Sequence, residues 1–247
     1  MPNLKDQVVL ITGANRGQGK GIAKHFASLG AKVAVGARNF EDAEALSAEI
    51  GKDQSLPVQL DVTNEADWTA AVQSIIEAYN KIDVLINNAG IFIKKPLLDT
   101  SVEDFQQLIN VNQLGVFMGI KAVVPYMEKQ QKGSIVNNVS ISAFAPINDA
   151  AAYAASKAAV SNLSKSAAIE LGPKGIRVNS IHPGVIQTNM ASSSNLNINE
   201  ADAIPLRRLG QANDIAQVAA FLASDESAYC NGAEIVVDGG LTLGTDV

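Results

Sequence analysis

Thr12-Gly13-Ala14-Asn15-Arg16-Gly17-Gln18-Gly19 joins the chain's first short apolar run, residues 7–11, to a segment with helical periodicity, residues 19–29. Glycines between a strand and a helix let the backbone turn sharply and approach a pyrophosphate, whose charge the helix N-terminus stabilises. The spacing is Gly-x3-Gly-x-Gly, which differs from the Gly-x-Gly-x2-Gly fingerprint. Because this turn follows the first predicted strand, it indicates a dinucleotide-binding fold.

Short runs rich in Val, Ile and Leu alternate with longer segments of helical periodicity along the whole chain. Apolar runs without strict alternation are typical of parallel strands covered on both faces. The pattern predicts one α/β domain over residues 1–247, a doubly wound Rossmann-type sheet of about seven mostly parallel strands with helices on both faces. The predicted strands are residues 7–11, 32–37, 58–60, 83–86, 134–139, 176–181 and 234–237. The predicted helices are residues 19–29, 40–50, 65–79, 102–127, 151–171 and 213–223.

The composition narrows the classes of partner. Hydrophobic residues make up 47% of the 247, and 25 acidic against 19 basic residues give a net charge of −6. Such a field repels phosphate backbones and anionic lipid, which argues against nucleic acid and membrane as partners. Cys230 is the only cysteine, and the two histidines lie far apart in the sequence, so we expect no disulfide and no metal site. The absence of a signal-peptide core or a membrane-length apolar run predicts a cytoplasmic protein.

Side chains directly after the strands are the candidate site, because ligands of such sheets bind beyond the carboxyl ends of the strands. Arg38 follows the second predicted strand, where dinucleotide-binding folds carry an acidic residue for the ribose diol of NAD. An arginine there, with Arg16 in the glycine turn as a second cation, favours the 2′-phosphate of NADP(H). Asp61 and Val62 close the third strand beside the expected adenine position. Asn87-Asn88-Ala89-Gly90 follows the fourth strand and lets the backbone approach the cofactor's adenosine side.

A second constellation lies in the predicted helix 151–171. Tyr153-Ala154-Ala155-Ser156-Lys157 places a phenol and an ammonium one helical turn apart, on the same helix face. The pair alone is weak evidence, because such a spacing readily arises by chance. Its helix, however, follows the fifth predicted strand, which ends in Val139-Ser140-Ile141-Ser142.

Together these motifs resemble the short-chain dehydrogenase/reductase family, in its single-domain branch. The resemblance implies an oxidoreductase that transfers a hydride between NADP(H) and a ketone or secondary alcohol. Similar members include bacterial carbonyl reductases, alcohol dehydrogenases and 3-oxoacyl thioester reductases. The matching pieces cover nearly the whole chain in the family's order: Thr-Gly-x3-Gly-x-Gly at 12–19, Asn-Asn-Ala-Gly at 87–90, Asn112, Ser140, Tyr153-x3-Lys157, Pro183-Gly184-x3-Thr188 and Val-Asp-Gly-Gly at 237–240.

The resemblance assigns the catalytic roles. Tyr153 would be the general acid in reduction and the base in oxidation, with a pKa lowered by Lys157 and by the oxidised nicotinamide. Ser140 would hydrogen-bond the substrate oxygen, and Asn112 would hold a water that links Lys157 to solvent. Family members often carry a Ser-Ser pair at this strand end, so Ser142 is an alternative to Ser140.

The resemblance also implies the residues that bind the nucleotide. Gln18 departs from the aliphatic residue that the family commonly carries at this position of the glycine loop. His182 precedes Pro183 and is expected to support the backbone near the cofactor rather than to act as a catalyst. The complete set of nucleotide-binding residues is Gly13, Asn15, Arg16, Gly17, Gln18, Gly19, Arg38, Asn39, Asp61, Val62, Asn88, Ala89, Gly90, Tyr153, Lys157, Pro183, Gly184, Ile186 and Thr188.

Two segments are expected to form the walls of the substrate pocket, residues 141–152 and 186–206, and residues 189–206 form a probable substrate loop. Neither wall contains a Lys or Arg, which a phosphate or carboxylate substrate would normally require. An uncharged, apolar ketone or alcohol is therefore favoured, with Lys94 and Lys95 as a reservation. The candidate substrate contacts are Ser142, Phe144, Ile147 and Met190.

Two other functions stay open. A 3-oxoacyl thioester reductase of fatty acid synthesis would dock an acidic carrier protein on basic residues, but the candidate stretch 128–132 is mixed in charge. A non-catalytic dinucleotide-binding regulator of the same fold would be expected to lose Tyr153, Lys157 or Ser140, all of which are present. By resemblance we also expect a homotetramer, in which the long apolar helices 102–127 and 151–171 pack against other copies.

Overall fold

A single seven-stranded parallel sheet forms the centre of the molecule. The computed structural model describes residues 2–188 and 198–244. The strands follow the order β3-β2-β1-β4-β5-β6-β7, and every neighbouring pair is parallel. The predicted doubly wound α/β fold is therefore confirmed, and all seven strands are parallel rather than most of them. The strands are β1 Val8–Thr12, β2 Lys32–Ala37, β3 Ser55–Gln59, β4 Val84–Asn87, β5 Gly133–Asn138, β6 Ile176–Pro183 and β7 Glu234–Val237.

Within residues 2–188 and 198–244, seven α-helices flank the sheet. One core cluster packs α1, α2 and α7 against one face, and a second packs α3, α5 and α6 against the other. Local sequence starts several of them: the Asn39 and Asn64 side chains cap α2 and α3, and Ser101 with Asp104 forms a capping box on α4. The helices are α1 Gly17–Ser28, α2 Phe40–Ile50, α3 Glu65–Tyr79, α4 Val102–Leu108, α5 Gly115–Gln130, α6 Ala151–Leu171 and α7 Ala212–Ala223.

The predicted helix 102–127 differs from the structure in its middle. A π-helical segment, Ile109–Leu114, separates α4 from α5, and α5 continues to Gln130. By length and composition alone, this continuous stretch could cross a bilayer. In the fold, however, α5 buries Val123 and Met127 in the core behind the sheet.

The third strand is also placed differently, at Ser55–Gln59 rather than 58–60. Pro57 lies inside it, which sequence reasoning disfavours because proline cannot donate a ladder hydrogen bond. β3 is the edge strand of the sheet and pairs only with β2, so the missing N–H breaks no second ladder. The strand order reverses at β1 and β4, whose carboxyl ends lead into the glycine loop and into Asn88. This switch point is where sheets of this kind bind ligands.

Candidate active site

The glycine loop joins β1 to α1 and is held from two sides. Gly13 has φ +61°, and a β-carbon there would lie 2.9 Å from Ala89 Cα, so both conformation and space require glycine. The amide of Asn88 donates to the carbonyls of Thr12 and Gly13 at 3.0 and 3.2 Å. In return, the Thr12 hydroxyl accepts from the backbone N–H groups of Asn88 and Ala89 at 3.0 and 2.9 Å. The two sequence motifs 12–19 and 87–90 thus form one structural unit.

The loop is also linked to β5 and to the end of β6. The Asn138 amide donates to Gln18 Oε1 at 2.9 Å and to Asn88 Oδ1 at 3.0 Å, so Gln18 makes a polar contact where the family commonly has an aliphatic residue. A β-carbon on Gly17 would lie 3.5 Å from Thr188 Cγ2, which places Thr188 against the loop. The remaining predicted residues of this region follow β6: Pro183 ends the strand, Gly184 donates its N–H to Val237, and buried Ile186 forms a bridge with Gly210.

Arg16 and Arg38 are both exposed at this edge of the sheet. Neither guanidinium makes a hydrogen bond or ion pair within residues 2–188 and 198–244. Asn39, by contrast, uses its side chain to cap α2 at 3.0 Å, and Asn15 donates to Asp42 Oδ2 at 3.0 Å. The two arginines are therefore available to a phosphate, whereas these asparagines already have protein partners.

The predicted adenine contacts, Asp61 and Val62, follow β3. The Asp61 carboxylate accepts from the backbone and hydroxyl of Thr63 at 2.9 and 2.7 Å. Burial acts to raise the Asp61 pKa, but these bonds and the nearby Arg38 outweigh it and lower the pKa. Val62 is buried against α5, where a β-carbon on Gly115 would lie 2.9 Å from its Cγ2.

Tyr153 and Ser140 meet at the carboxyl end of β5. Burial raises the pKa of the Tyr153 phenol, and a hydrogen bond with the Ser140 side chain partly opposes that rise. Ser140 Oγ also accepts from the Ser142 N–H at 3.0 Å. Ser142 therefore orients Ser140 through its backbone N–H, and Ser140 is the serine whose hydroxyl lies close to the Tyr153 phenol.

Lys157 is buried one turn after Tyr153. Its Nζ donates to the Asn138 carbonyl at 3.0 Å and lies 5.9 Å from the Tyr153 ring centre. Burial lowers the pKa of Lys157 to about 8. From the sequence, the Tyr153 pKa is expected to be lowered, but in the protein alone burial raises it. The Lys157 ammonium, which is expected to lower this pKa, is held by the Asn138 carbonyl. A cationic nicotinamide beside the phenol is needed to reverse the shift.

Asn112 is fully buried in the π-helical segment. Its Oδ1 accepts from Ile91 N at 2.8 Å, and its Nδ2 donates to Ile91 O at 3.0 Å and to Ser156 Oγ at 3.1 Å. A β-carbon on Gly90 would lie 3.3 Å from Asn112 Oδ1 and 3.6 Å from Lys157 Nζ, so the backbone at Gly90 passes between the two side chains. The π segment thereby carries Asn112 to the catalytic helix.

The structure adds residues that sequence reasoning missed. Phe92 packs edge-on against the Tyr153 ring with centroids 4.8 Å apart, and Ser156 donates to the Tyr153 carbonyl at 2.7 Å. Phe92 lies two residues after Asn-Asn-Ala-Gly and Ser156 lies within Tyr-x3-Lys, so both residues are close to motifs that the sequence shows. No sequence signal indicated that the Asn138 carbonyl accepts from Lys157, because this bond depends on two segments that are distant in the sequence.

The substrate wall after β5 surrounds Tyr153 with few charges. Ser142 is buried, whereas Phe144 and Ile147 are 52% and 43% exposed. Lys95 N donates to Asp149 O at 2.7 Å, which brings the segment with Lys94 and Lys95 beside this wall. Lys95 Nζ pairs with Asp104 at 2.6 Å, while exposed Lys94 has no such pair in the described parts of the chain. Met190 and most of the predicted substrate loop lie outside the described residues.

The glycine loop and the N-terminus of α1 have the features needed to bind a dinucleotide. Helix α1 begins after Arg16 without a side-chain cap, so its first N–H groups are open to a pyrophosphate. Gly13 and Ala89 approach each other closely at the loop, and the exposed side chains of Arg16 and Arg38 lie at the same edge of the sheet. In the described ranges no group of three or more His, Cys, Asp or Glu side chains is arranged to hold a metal ion.

Comparisons with known proteins agree with this geometry. A family model described as enoyl-(acyl carrier protein) reductase matches residues 13–242. The trans-4-hydroxycyclohexanecarboxylate dehydrogenase of Sinomonas cyclohexanicum is 41% identical over 251 residues, covering 98% of this chain and 95% of that protein. The cyclopentanol dehydrogenase of Comamonas testosteroni is 42% identical over 250 residues, covering 98% and 99% of the two chains.

A solved structure superimposes closely as well. The crystal structure of 3-ketoacyl-(acyl-carrier-protein) reductase from Brucella melitensis, complexed with NADH, has a TM-score of 0.94 and 36% sequence identity. The superposition covers 97% of this chain and all of that one. Similarity over the full length in both sequence and structure includes every motif of the candidate site.

Proposed function

The chain belongs to the short-chain dehydrogenase/reductase family, and we propose that it interconverts neutral cyclic ketones and secondary alcohols with NADP(H). One observation carries this proposal: the half-buried Tyr153 lies close to Ser140 and to buried Lys157, at the same edge of the sheet as the uncapped α1 N-terminus. The residues proposed as proton donor, oxyanion partner and dinucleotide cradle thus lie together at the carboxyl ends of the strands.

The proposed mechanism uses the cofactor as hydride source. Glycine-loop residues and Thr188 would hold the pyrophosphate, and Lys157 the nicotinamide ribose; when bound, the reduced nicotinamide supplies a hydride. In reduction, Tyr153 donates its proton to the substrate oxygen while Ser140 hydrogen-bonds the same oxygen as negative charge develops. One hydride and one proton then convert the ketone to a secondary alcohol. In oxidation, Tyr153 accepts that proton.

The preference for NADP(H) rests on Arg16 and Arg38. Both are exposed and make no hydrogen bond or close ion pair in the described residues, although Arg38 lies near Asp61, and a 2′-phosphate is a dianionic group that guanidinium binds well. The similar Brucella reductase was solved with NADH, so family membership does not by itself decide between the two cofactors.

The proposal of a neutral cyclic substrate rests on the charges in the predicted pocket walls and on the substrates named for two relatives. Segment 141–152 carries no cation, and Lys95 beside it is already neutralised by Asp104. The two relatives named above are dehydrogenases of alcohols on five- and six-membered rings, one neutral and one bearing a carboxylate. Lys94 is the one cation near this wall without a carboxylate partner among the described residues, and it would serve a carboxylate substrate.

Reduction of a carrier-linked 3-oxoacyl thioester is the second candidate, because the Brucella structure is a 3-ketoacyl-carrier reductase. An acidic carrier needs unpaired basic residues at the rim. Lys132 pairs with Asp225 at 2.8 Å and Lys174 with Glu128 at 3.2 Å, while Lys129 stacks over Tyr126. The surface expected to bind a carrier is thus largely neutralised, which favours a free ketone.

We further propose a homotetramer. Large apolar side chains on the outer side of α4 and α5 stay exposed in the single chain, with Val102 78% and Phe105 44% exposed. Ile169 on α6 is 80% exposed. Contiguous apolar surface of this kind marks an interface.

A matched substrate pair tests the substrate class. Cyclohexanone and 4-oxocyclohexanecarboxylate present the same ring and differ in one carboxylate, so their kcat/KM ratio with NADPH isolates the effect of charge. We expect cyclohexanone to lead by about tenfold, and each methylene added as a ring substituent to raise kcat/KM about fourfold. A carboxylate substrate that leads, and loses its lead in Lys94→Ala, would overturn the neutral pocket.

The same assay separates the second candidate. A carrier-linked 3-oxoacyl thioester is compared with its free ester under identical conditions. Similar kcat/KM values support a small-molecule reductase. A carrier-linked substrate far ahead of the free ester would establish thioester reduction, because only docking of the carrier explains that gap.

A further inference from the structure

A buried histidine lies directly behind the catalytic serine. His182, at the end of β6, is 0% exposed, and its Nδ1 lies 2.9 Å from the Ser140 carbonyl oxygen. A carbonyl oxygen can only accept, so Nδ1 carries the proton and donates it. The imidazole therefore holds the backbone of Ser140.

The opposite edge of the imidazole faces an anchored carboxylate. Nε2 lies 3.3 Å from Glu234 Oε1 on β7. Glu234 in turn accepts a hydrogen bond from the Ser161 hydroxyl and pairs with Lys165 Nζ at 2.5 Å. With its proton on Nδ1, the buried Nε2 has no hydrogen-bond donor within the described residues. The hydrogen bond to the Ser140 carbonyl is therefore the one that the imidazole makes among the described residues.

The charges around His182 keep this arrangement in one state. Burial lowers the pKa of His182, against the opposing effects of the Ser140 hydrogen bond and Glu234, and Lys165 and Lys157 lower it further. Burial acts to raise the pKa of Glu234, but Lys165 and Ser161 outweigh it and lower that pKa. At neutral pH the pair is thus a neutral imidazole beside a carboxylate, with one defined tautomer.

The anchor of Glu234 belongs to the catalytic helix. Tyr153, Lys157, Ser161 and Lys165 follow one another at four-residue intervals and lie along one face of α6. The first two form the candidate catalytic pair, and the last two hold Glu234. Glu234 is thereby held against α6, and His182 lies between Glu234 and Ser140, with its Nδ1 donating to the Ser140 carbonyl.

We propose that His182 is a positioning residue that fixes Ser140 opposite Tyr153 through the hydrogen bond from Nδ1 to the Ser140 carbonyl. This inference rests on the proposed function, because it concerns the serine and tyrosine of that same site. His182 touches neither of the reacting atoms and acts only through Ser140.

The test compares two substitutions of His182 at the same buried position. His182→Leu removes the donor to Ser140, whereas His182→Asn keeps a nitrogen bonded to Cγ that can donate to the same carbonyl. With cyclohexanone and NADPH, we expect kcat to fall about tenfold in the leucine variant and to stay within about threefold in the asparagine variant. The KM for NADPH stays within about twofold in both.

A pH profile distinguishes positioning from general stability. The Ser140 hydroxyl acts to lower the Tyr153 pKa, so displacing Ser140 raises this pKa. Oxidation needs the deprotonated phenol, and its rate therefore rises with pH at a more alkaline value. We expect this displacement in His182→Leu and Ser140→Ala, and not in His182→Asn. Leucine and asparagine variants with equal kcat and equal profiles would overturn the proposal.

Two further variants keep the test decisive where His182→Leu does not fold. Glu234 lies on the edge strand with its side chain 31% exposed, so substitutions there disturb the core little. Its carboxylate makes no hydrogen bond with the neutral imidazole, so Glu234→Ala is a control that should leave kcat within about twofold of wild type. His182→Ala removes the donor to Ser140 without introducing a larger apolar side chain, and should show the same fall of about tenfold in kcat as the leucine variant. A wild-type kcat in His182→Ala overturns the proposal. Wild-type turnover that is lost in Ser140→Ala but not in these variants leaves the proposed function standing.

Discussion

Burial sets the proton affinity of Lys157 and of Tyr153 in opposite directions, one pKa lowered to about 8 and the other raised. Reduction needs the phenol protonated and the ammonium charged. As pH rises, Lys157 therefore loses its charge first. We expect kcat/KM for NADPH, which reports ionisations of the free enzyme, to fall above about pH 8.

Lys157→Arg checks the assignment, because a guanidinium keeps its charge at all working pH values. The variant should be slower but should lose the fall near pH 8. A wild-type profile that stays flat to pH 10, or a fall that persists in the arginine variant, would contradict the role given to Lys157.

Arg38 determines the expected choice of cofactor. A charge-assisted hydrogen bond to the 2′-phosphate is worth roughly 1.5–3 kcal/mol, or about 10- to 150-fold in kcat/KM. Arg38→Asp should reverse the preference from NADPH to NADH. Lys52→Asp changes the net charge equally at an exposed position far along the chain from the glycine loop, and should leave the ratio unchanged. Equal wild-type kcat/KM values for the two cofactors would contradict this reading.

At the residue scale, the sequence predicted contacts between residues that are close together in the chain. Tyr153 and Lys157 are one turn apart, so their shared helix face followed from spacing alone. The contacts of His182 with Ser140 and Glu234 join three strands and could not be read from any local pattern. The same holds for Asn138, whose backbone carbonyl accepts from Lys157 while its side chain bonds Gln18 and Asn88.

At the element scale, the π-helical segment Ile109–Leu114 turns Asn112 inward, where it makes three hydrogen bonds. Asn112→Leu keeps the volume but leaves the backbone groups of Ile91 without partners. We expect the free energy of unfolding to fall by about 2–4 kcal/mol, measured by urea denaturation.

Asn110 provides the matched control, because it lies in the same segment and contacts only Gln106 on the exposed side. Asn110→Ala should change stability by less than about 0.5 kcal/mol. If both substitutions cost the same, the π segment has no special dependence on Asn112.

The elements themselves were largely predictable, and the exceptions have local causes. Six strands and six helical stretches fall where hydrophobic periodicity placed them, with ends shifted by up to three residues. The π segment continues the helical periodicity, so sequence alone merged α4 and α5. The sequence pattern missed the start of β3 because proline is disfavoured inside strands. Pro57 is accepted here because β3 is the edge strand of the sheet.

At the scale of the whole molecule, the exposed apolar side of α4 and α5 predicts assembly. Light scattering at micromolar concentration should give the mass of four chains. Phe105→Glu combined with Phe117→Glu places charges on this surface and should reduce the mass. Phe40→Glu, on α2 at similar exposure, should not. A wild-type mass of one chain would contradict the tetramer.

The central claim is that Tyr153 protonates a neutral ketone while NADPH supplies the hydride. The most direct measurement follows NADPH consumption with cyclohexanone by the wild-type protein and by Tyr153→Phe, with NADPH binding monitored in parallel by fluorescence. We predict steady consumption with one alcohol formed per NADPH, and a rate at least about 100-fold lower in the variant with NADPH binding retained. No consumption by the wild type, or a variant rate within about tenfold of it, would contradict the account.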